Sequence, residues 1–79
     1  MIRPDENLMK ILATEMFAQN HNLKGIDAFR YLKQNNLYDN ISKHYNALHT
    51  QPLDEAYYFI EDVIKYHPER YKQPATFNV

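Results

Sequence analysis

Residues 53–66 read LDEAYYFIEDVIKY, and the spacing of their apolar positions decides the fold. Leu53, Ala56, Tyr57, Ile60, Val63 and Ile64 recur at intervals of three and four, which lines them up along one side of an α-helix. A strand would need alternation at every second position, and this stretch has none. Pro52 suits a first helical turn, where a missing N–H is no loss, and Asp54 and Glu55 meet the helix's positive end. At the other end Pro68 drives His67 out of the α region, so the helix stops near Tyr66. Glu61 precedes Lys65 by four residues, the favourable order for a surface ion pair of about 0.3–0.5 kcal/mol.

Upstream lies the corner HTQP, and before it Leu37 to Leu48. Leu37, Ile41, His44, Tyr45 and Leu48 share one side of that segment, which predicts a third helix with His44 buried or half-buried. His49 closes it, where a ring proton meets the partial negative charge of the helix end. Thr50 is placed to accept a hydrogen bond from a free amide of the next helix. A second helix is expected over Ile26–Asn35, with Ala28, Phe29 and Leu32 inward. Its start is poorly capped, because Lys24 and Gly25 offer no side-chain acceptor. The first helix covers Asp5–Asn20, with Leu8, Met9, Leu12 and Met16 central and Ile11 and Phe17 flanking. NHNLKG and the Asn35-Asn36 pair are the breaks between helices.

The chain holds 79 residues with one glycine and no cysteine. Tight hairpins draw on glycine at their turns, so this scarcity supports an all-α reading. The expected architecture is a small four-helix domain over residues 1–67 and an extended C-terminal tail over 68–79, where two prolines interrupt any periodicity. Without cysteine, disulfides and thiolate metal sites are excluded. Nine basic and ten acidic side chains give a net charge of −1. That balance removes the long-range attraction a basic domain has for nucleic acid or anionic lipid. No apolar run approaches the ~20 residues that span a bilayer, and MIRPDENLMK lacks the pattern of a signal peptide. A soluble, cytoplasmic protein is expected.

The chemistry-bearing residues do not assemble into a reaction. His44 and His49 are five apart, which turns the rings about 140° from each other on a helix, whereas a helical metal pair needs three or four. His21 and His67 belong to no ligand pattern. Adjacent acids such as Glu61 and Asp62 do not point at one spot, and Ser42 is the lone serine. No phosphate-cradling glycine loop or nucleophile elbow exists. We therefore expect no catalytic residue, no metal and no cofactor.

Aromatics reach 14%, with seven tyrosines. Tyr45 and Tyr57 fall on inward faces. Tyr31 lies away from the apolar side of its helix, and Tyr58 and Asp62 lie opposite the apolar stripe of theirs. Tyrosine suits interfaces, having an apolar ring and a hydroxyl that tolerates water. The expected partner surface is Tyr58, Asp62 and Tyr66, with Tyr71 and Phe77 of the tail docking as anchors. The partner is another protein, or a second copy in a homodimer. The alternative is a DNA-binding helix-turn-helix built from the second and third helices, with Lys24, Arg30, Lys33 and Lys43 nearby. Asp27 and Asp39 interrupt that basic set.

A family resemblance joins these features. NHNLKGIDAFRYLKQNNLYDNISKHYNALHT, followed by YYFIEDVIKYH, resembles a short bacterial family numbered three-seven-nine-one in the domain-of-unknown-function series. The matching positions are Asn22 and Gly25, Phe29 and Tyr31, Leu37 and Tyr38, Leu48-His49-Thr50, and Ile60-Glu61-Asp62-Val63. They cover about residues 8–67. Lys24 departs from the pattern, which has a small capping residue there. The resemblance implies a gene often found beside ADP-ribosyltransferase-like proteins, hence an antitoxin-like or accessory partner of a toxin-like enzyme. It brings no catalytic residue, and His49 and Thr50 are motif positions of unknown role.

Overall fold

Helix α1, Pro4–Asn20, is the hub of the computed structural model, which describes residues 4–67, 70 and 71. Around it follow α2 (Gly25–Gln34), α3 (Leu37–Lys43), α4 (Tyr45–Leu48) and α5 (Glu55–Tyr66). The described part is all-α, as the residue spacing predicts. Helix α1 packs against α2, α3 and α5. A helix serving three neighbours needs apolar residues around most of its circumference, and α1 has them. For that reason its own pattern does not single out one inward face. The buried line runs Met9, Ala13 and Phe17, with Ala18 beside it. Leu8, expected at the centre, is exposed, whereas Phe17, expected on a flank, is completely buried. Ala13, in the middle of that line, is completely buried.

Two asparagines shape the breaks. Helix α1 ends where the Leu23 amide donates to the Ala18 carbonyl at 2.8 Å and the Asn22 amide to the Gln19 carbonyl at 3.4 Å. This pair of bonds is the Schellman closure, which needs a left-handed residue between them. Asn22 supplies it with φ 56°, and Asn36 repeats the conformation with φ 58° after α2. Asparagine tolerates that region better than other side-chain-bearing residues. Both breaks fall where the sequence places them.

Lys24 precedes α2 with φ −71° and ψ 153°, a conformation suited to an N-cap, yet its side chain caps nothing. Lys24→Ser supplies the missing acceptor and is expected to stabilise the domain by about 1 kcal/mol. The readout is a rise in melting temperature of roughly 4–8 °C. An unchanged melting temperature would show that water already serves the free amides as well.

The third helix departs from expectation by breaking in two at His44. There φ is −105° and ψ 14°. The His44 amide reaches both the Asn40 and Ile41 carbonyls, at 3.1 and 3.2 Å, the tightening that ends an α-helix. Its ring Nδ1 also lies 3.0 Å from the Asn40 carbonyl, and the ring rests 4.8 Å from that of Phe59. His44 is thus exposed rather than buried: it spends its side chain on the end of α3 instead of the core. Leu37, Ile41 and Leu48 still reach the interior. Ser42 Oγ donates to Glu6 at 2.8 Å, and Lys10 pairs with the same carboxylate at 3.3 Å, tying α3 to the start of α1.

Helix α5 begins two residues later than expected. Its approach is a turn in which the Glu55 amide bonds the Pro52 carbonyl at 3.0 Å. Leu53 stays outside the helix and exposed, while Ala56, Tyr57, Ile60 and Ile64 are buried. Phe17, Met9, Leu32, Leu37, Ile41 and Ile60 are the largest fully buried side chains. Each contributes about 1.5–3 kcal/mol by leaving water.

Candidate interaction surfaces

Three places on the molecule carry side chains that the core does not fully absorb. The first is a polar cluster at the C-terminal end of α1. His21 is buried there, and its Nε2 lies 2.7 Å from Glu61 Oε2. Tyr57 donates its hydroxyl to the same carboxylate oxygen. The His21 ring packs 4.1 Å from that of Phe17, which stacks at 5.4 Å on Tyr31. Burial, together with the hydrogen bond to Glu61 and its charge, pushes the Tyr57 phenol well above the ordinary range. Burial raises Tyr31 too, with Glu61 and Tyr71 adding to the effect.

A histidine, a carboxylate and a phenol in contact would suit proton transfer in an open site. Here the imidazole is closed off and the phenol is held neutral, so the arrangement fixes α1 to α5. Glu61 is committed to His21 and Tyr57, and the expected ion pair with Lys65 does not form. Lys65 lies over the Tyr66 ring at 5.7 Å instead. Among the described residues no three histidine, aspartate or glutamate side chains could hold a metal ion.

The raised phenols set an alkaline limit. Below the ordinary phenol value of about 10, folded and unfolded chains carry the same tyrosine protons. Above it the unfolded chain releases protons that folded Tyr57, Tyr31 and Tyr38 retain, so stability falls as pH rises. The midpoint of urea unfolding is expected to drop steadily above pH 10, with a shallower slope in Tyr57→Phe. Equal slopes in the two proteins would show that Tyr57 is not a source.

The second place is a groove of about 680 Å³ across α1, α2 and the start of α3. Ile11, Thr14, Phe29, Lys33 and Tyr38 line it. Thr14 Oγ1 donates to the Lys10 carbonyl at 2.7 Å, so in its contact with Tyr38 the phenol is the donor. Burial pushes Tyr38 up. The sequence pattern misses this groove because it places Phe29 inward. Phe29 is exposed, 5.8 Å from the Tyr38 ring, with Lys33 Nζ 5.7 Å above its centre. Tyr31, expected off the apolar side, takes the inward place against Phe17.

The third place is the outer face of α5. Tyr58 and Tyr66 are 48% and 69% exposed, with Asp62 exposed between them. Tyr71 does not join this surface. It is 7% exposed, and a turn in which its amide reaches the His67 carbonyl at 3.1 Å brings it into the core. An anchor for a partner must be accessible, so Tyr71 is withdrawn from the expected set. Phe77, and the tail positions 68, 69 and 72–79, lie outside the described residues.

Two of the four basic residues proposed for a helix-turn-helix have local contacts. Arg30 lies 3.7 Å from Asp27, and Lys33 lies over Phe29. Helix α3 is seven residues long with Asp39 in its first turn, where a carboxylate opposes phosphate.

Residues 9–67 match the family described as "Protein of unknown function (DUF3791)". The chain belongs to the DUF3791 family. No curated protein and no solved structure matches it. The motif positions of this DUF3791 domain fall largely into structural roles: Asn22 closes α1, Leu37 and Ile60 fill the core, and Glu61 holds His21. His49 is exposed and stacks on Tyr45 at 5.2 Å. Thr50 does not cap the following helix; its hydroxyl donates back to the Ala47 carbonyl at 3.0 Å. The residue before α5 is Asp54, and no side-chain cap forms there either. Among the described residues no helix is long and apolar enough to cross a membrane.

Proposed function

We propose that this DUF3791 domain is a non-catalytic protein-interaction module, and that the outer face of α5 receives its partner. One observation carries the reading. Tyr58, Asp62 and Tyr66 stand four residues apart on that face, in a row open to solvent. Two rings flanking a carboxylate offer apolar area with polar edges, a composition enriched at protein interfaces. The buried His21 and neutral Tyr57 support the absence of a catalytic role. The narrower reading makes the partner a toxin-like enzyme encoded beside this chain, masked by direct contact in the cytoplasm. Its support is the family resemblance alone.

The test is a pull-down with the product of the neighbouring gene, followed by titration of the purified pair. Tyr58→Ala with Tyr66→Ala is expected to weaken binding at least a hundredfold, with the helical circular dichroism unchanged. Binding of equal strength in the double variant would remove the α5 face from the proposal. Failure of the neighbouring product to bind at all would remove the antitoxin-like reading.

A further inference from the structure

Four large apolar side chains remain exposed on the α1–α2 side, away from the tyrosine row of α5. Leu8 and Ile11 of α1 are 49% and 55% exposed, and Ile26 and Phe29 of α2 are 56% and 44% exposed. Each pair is three residues apart on its helix and so shares a face. Ile11 and Phe29 both line the groove of about 680 Å³, and Leu8 and Ile26 lie outside it on the same helix faces. Exposed apolar side chains that share one groove, as Ile11 and Phe29 do, mark an interaction site more often than isolated ones do.

The charges on this groove indicate its occupant. Lys33 lines the groove without an acidic partner among the described residues, and Glu15 and Asp39 line it without a basic one. The face thus presents both signs beside the same apolar strip. A two-fold axis through such a strip lets the cation of each copy meet an acid of the other, and the same patch serves both sides. With a net charge of −1 per chain, two copies repel each other little. A chain this small also has a thin core, and oligomerisation is a common remedy.

We infer that the α1–α2 face is an isologous dimer interface, in which Ile11 and Phe29 of two copies pack together and Lys33 of each meets Glu15 of the other. The inference goes beyond the α5 reading and stands on different residues.

Sedimentation equilibrium of the full chain, from 1 to several hundred micromolar, tests it. Twice the monomer mass is expected at the upper concentrations. Phe29→Glu is expected to weaken the dimer at least a hundredfold, and its partly exposed position leaves the fold intact by circular dichroism. Lys33→Glu and Glu15→Lys are each expected to weaken the dimer about tenfold, and the double variant to regain most of that loss. A monomer throughout the range overturns the inference, as does a dimer indifferent to Phe29→Glu. Single charge variants that weaken association without mutual rescue overturn the Lys33–Glu15 pairing. Tyr58→Ala with Tyr66→Ala should leave the dimer unchanged, which keeps this result separate from the α5 reading.

Discussion

Phe17→Ala lowers the stability of the domain by about 3–5 kcal/mol. Phe17 is completely buried and stands where α1 meets its neighbours, touching the rings of His21 and Tyr31. Its removal forfeits the transfer free energy of the ring and leaves a cavity that three packed helices cannot close. A domain of 79 residues has roughly 4–12 kcal/mol in total, so the variant sits near the edge of folding. Urea unfolding is expected to show a much lower midpoint with the same slope. Phe17→Leu keeps most of the volume and should lose less than about 1.5 kcal/mol. Leu8→Ala is the informative control. Leu8 belongs to the expected apolar face of α1 yet is about half exposed, and its loss should fall within about 0.5 kcal/mol. A Leu8→Ala effect as large as that of Phe17→Ala would mean that α1 is rotated from the orientation described.

His21→Ala is expected to lower stability by about 2–3 kcal/mol, the range for losing a hydrogen bond to a charged group in a closed setting. The Glu61 side chain is 27% exposed, so water relieves part of its lost contact and holds the effect below that of an enclosed pair. Tyr57→Phe removes one neutral donor to the same oxygen and should lose about 1 kcal/mol. The decisive measurement is a double-mutant cycle between His21→Ala and Glu61→Ala. A coupling of about 1–2 kcal/mol is expected for groups in direct contact. If the two effects simply add, the 2.7 Å contact holds nothing together in solution.

The family motif takes on a different meaning beside this cluster. Glu61 and Asp62 are neighbours in the sequence, but their side chains do opposite jobs. Glu61 turns inward to a histidine forty residues away, and Asp62 faces solvent between two tyrosines. The sequence pattern placed Asp62 and Tyr58 correctly, because a position opposite a clear apolar stripe has only solvent to face. It assigned Glu61 to Lys65, because a local pair is all that local spacing reveals. No signal along the chain ties residue 21 to residue 61.

The same contrast runs through the fold. The chain's single glycine, the three-and-four spacing of α5 and the asparagines at both breaks were enough to determine an all-α domain and where its first two helices end. Those features act within a few residues, through backbone sterics and the helical repeat. The face of α1 that turns inward, the burial of Tyr71, the outward swing of Phe29 and the break at His44 were decided by tertiary packing. A helix apolar on most sides has several near-equal ways to turn, and only simultaneous contact with α2, α3 and α5 separates them. That choice places Phe17 at the centre and leaves Ile11 and Phe29 in water.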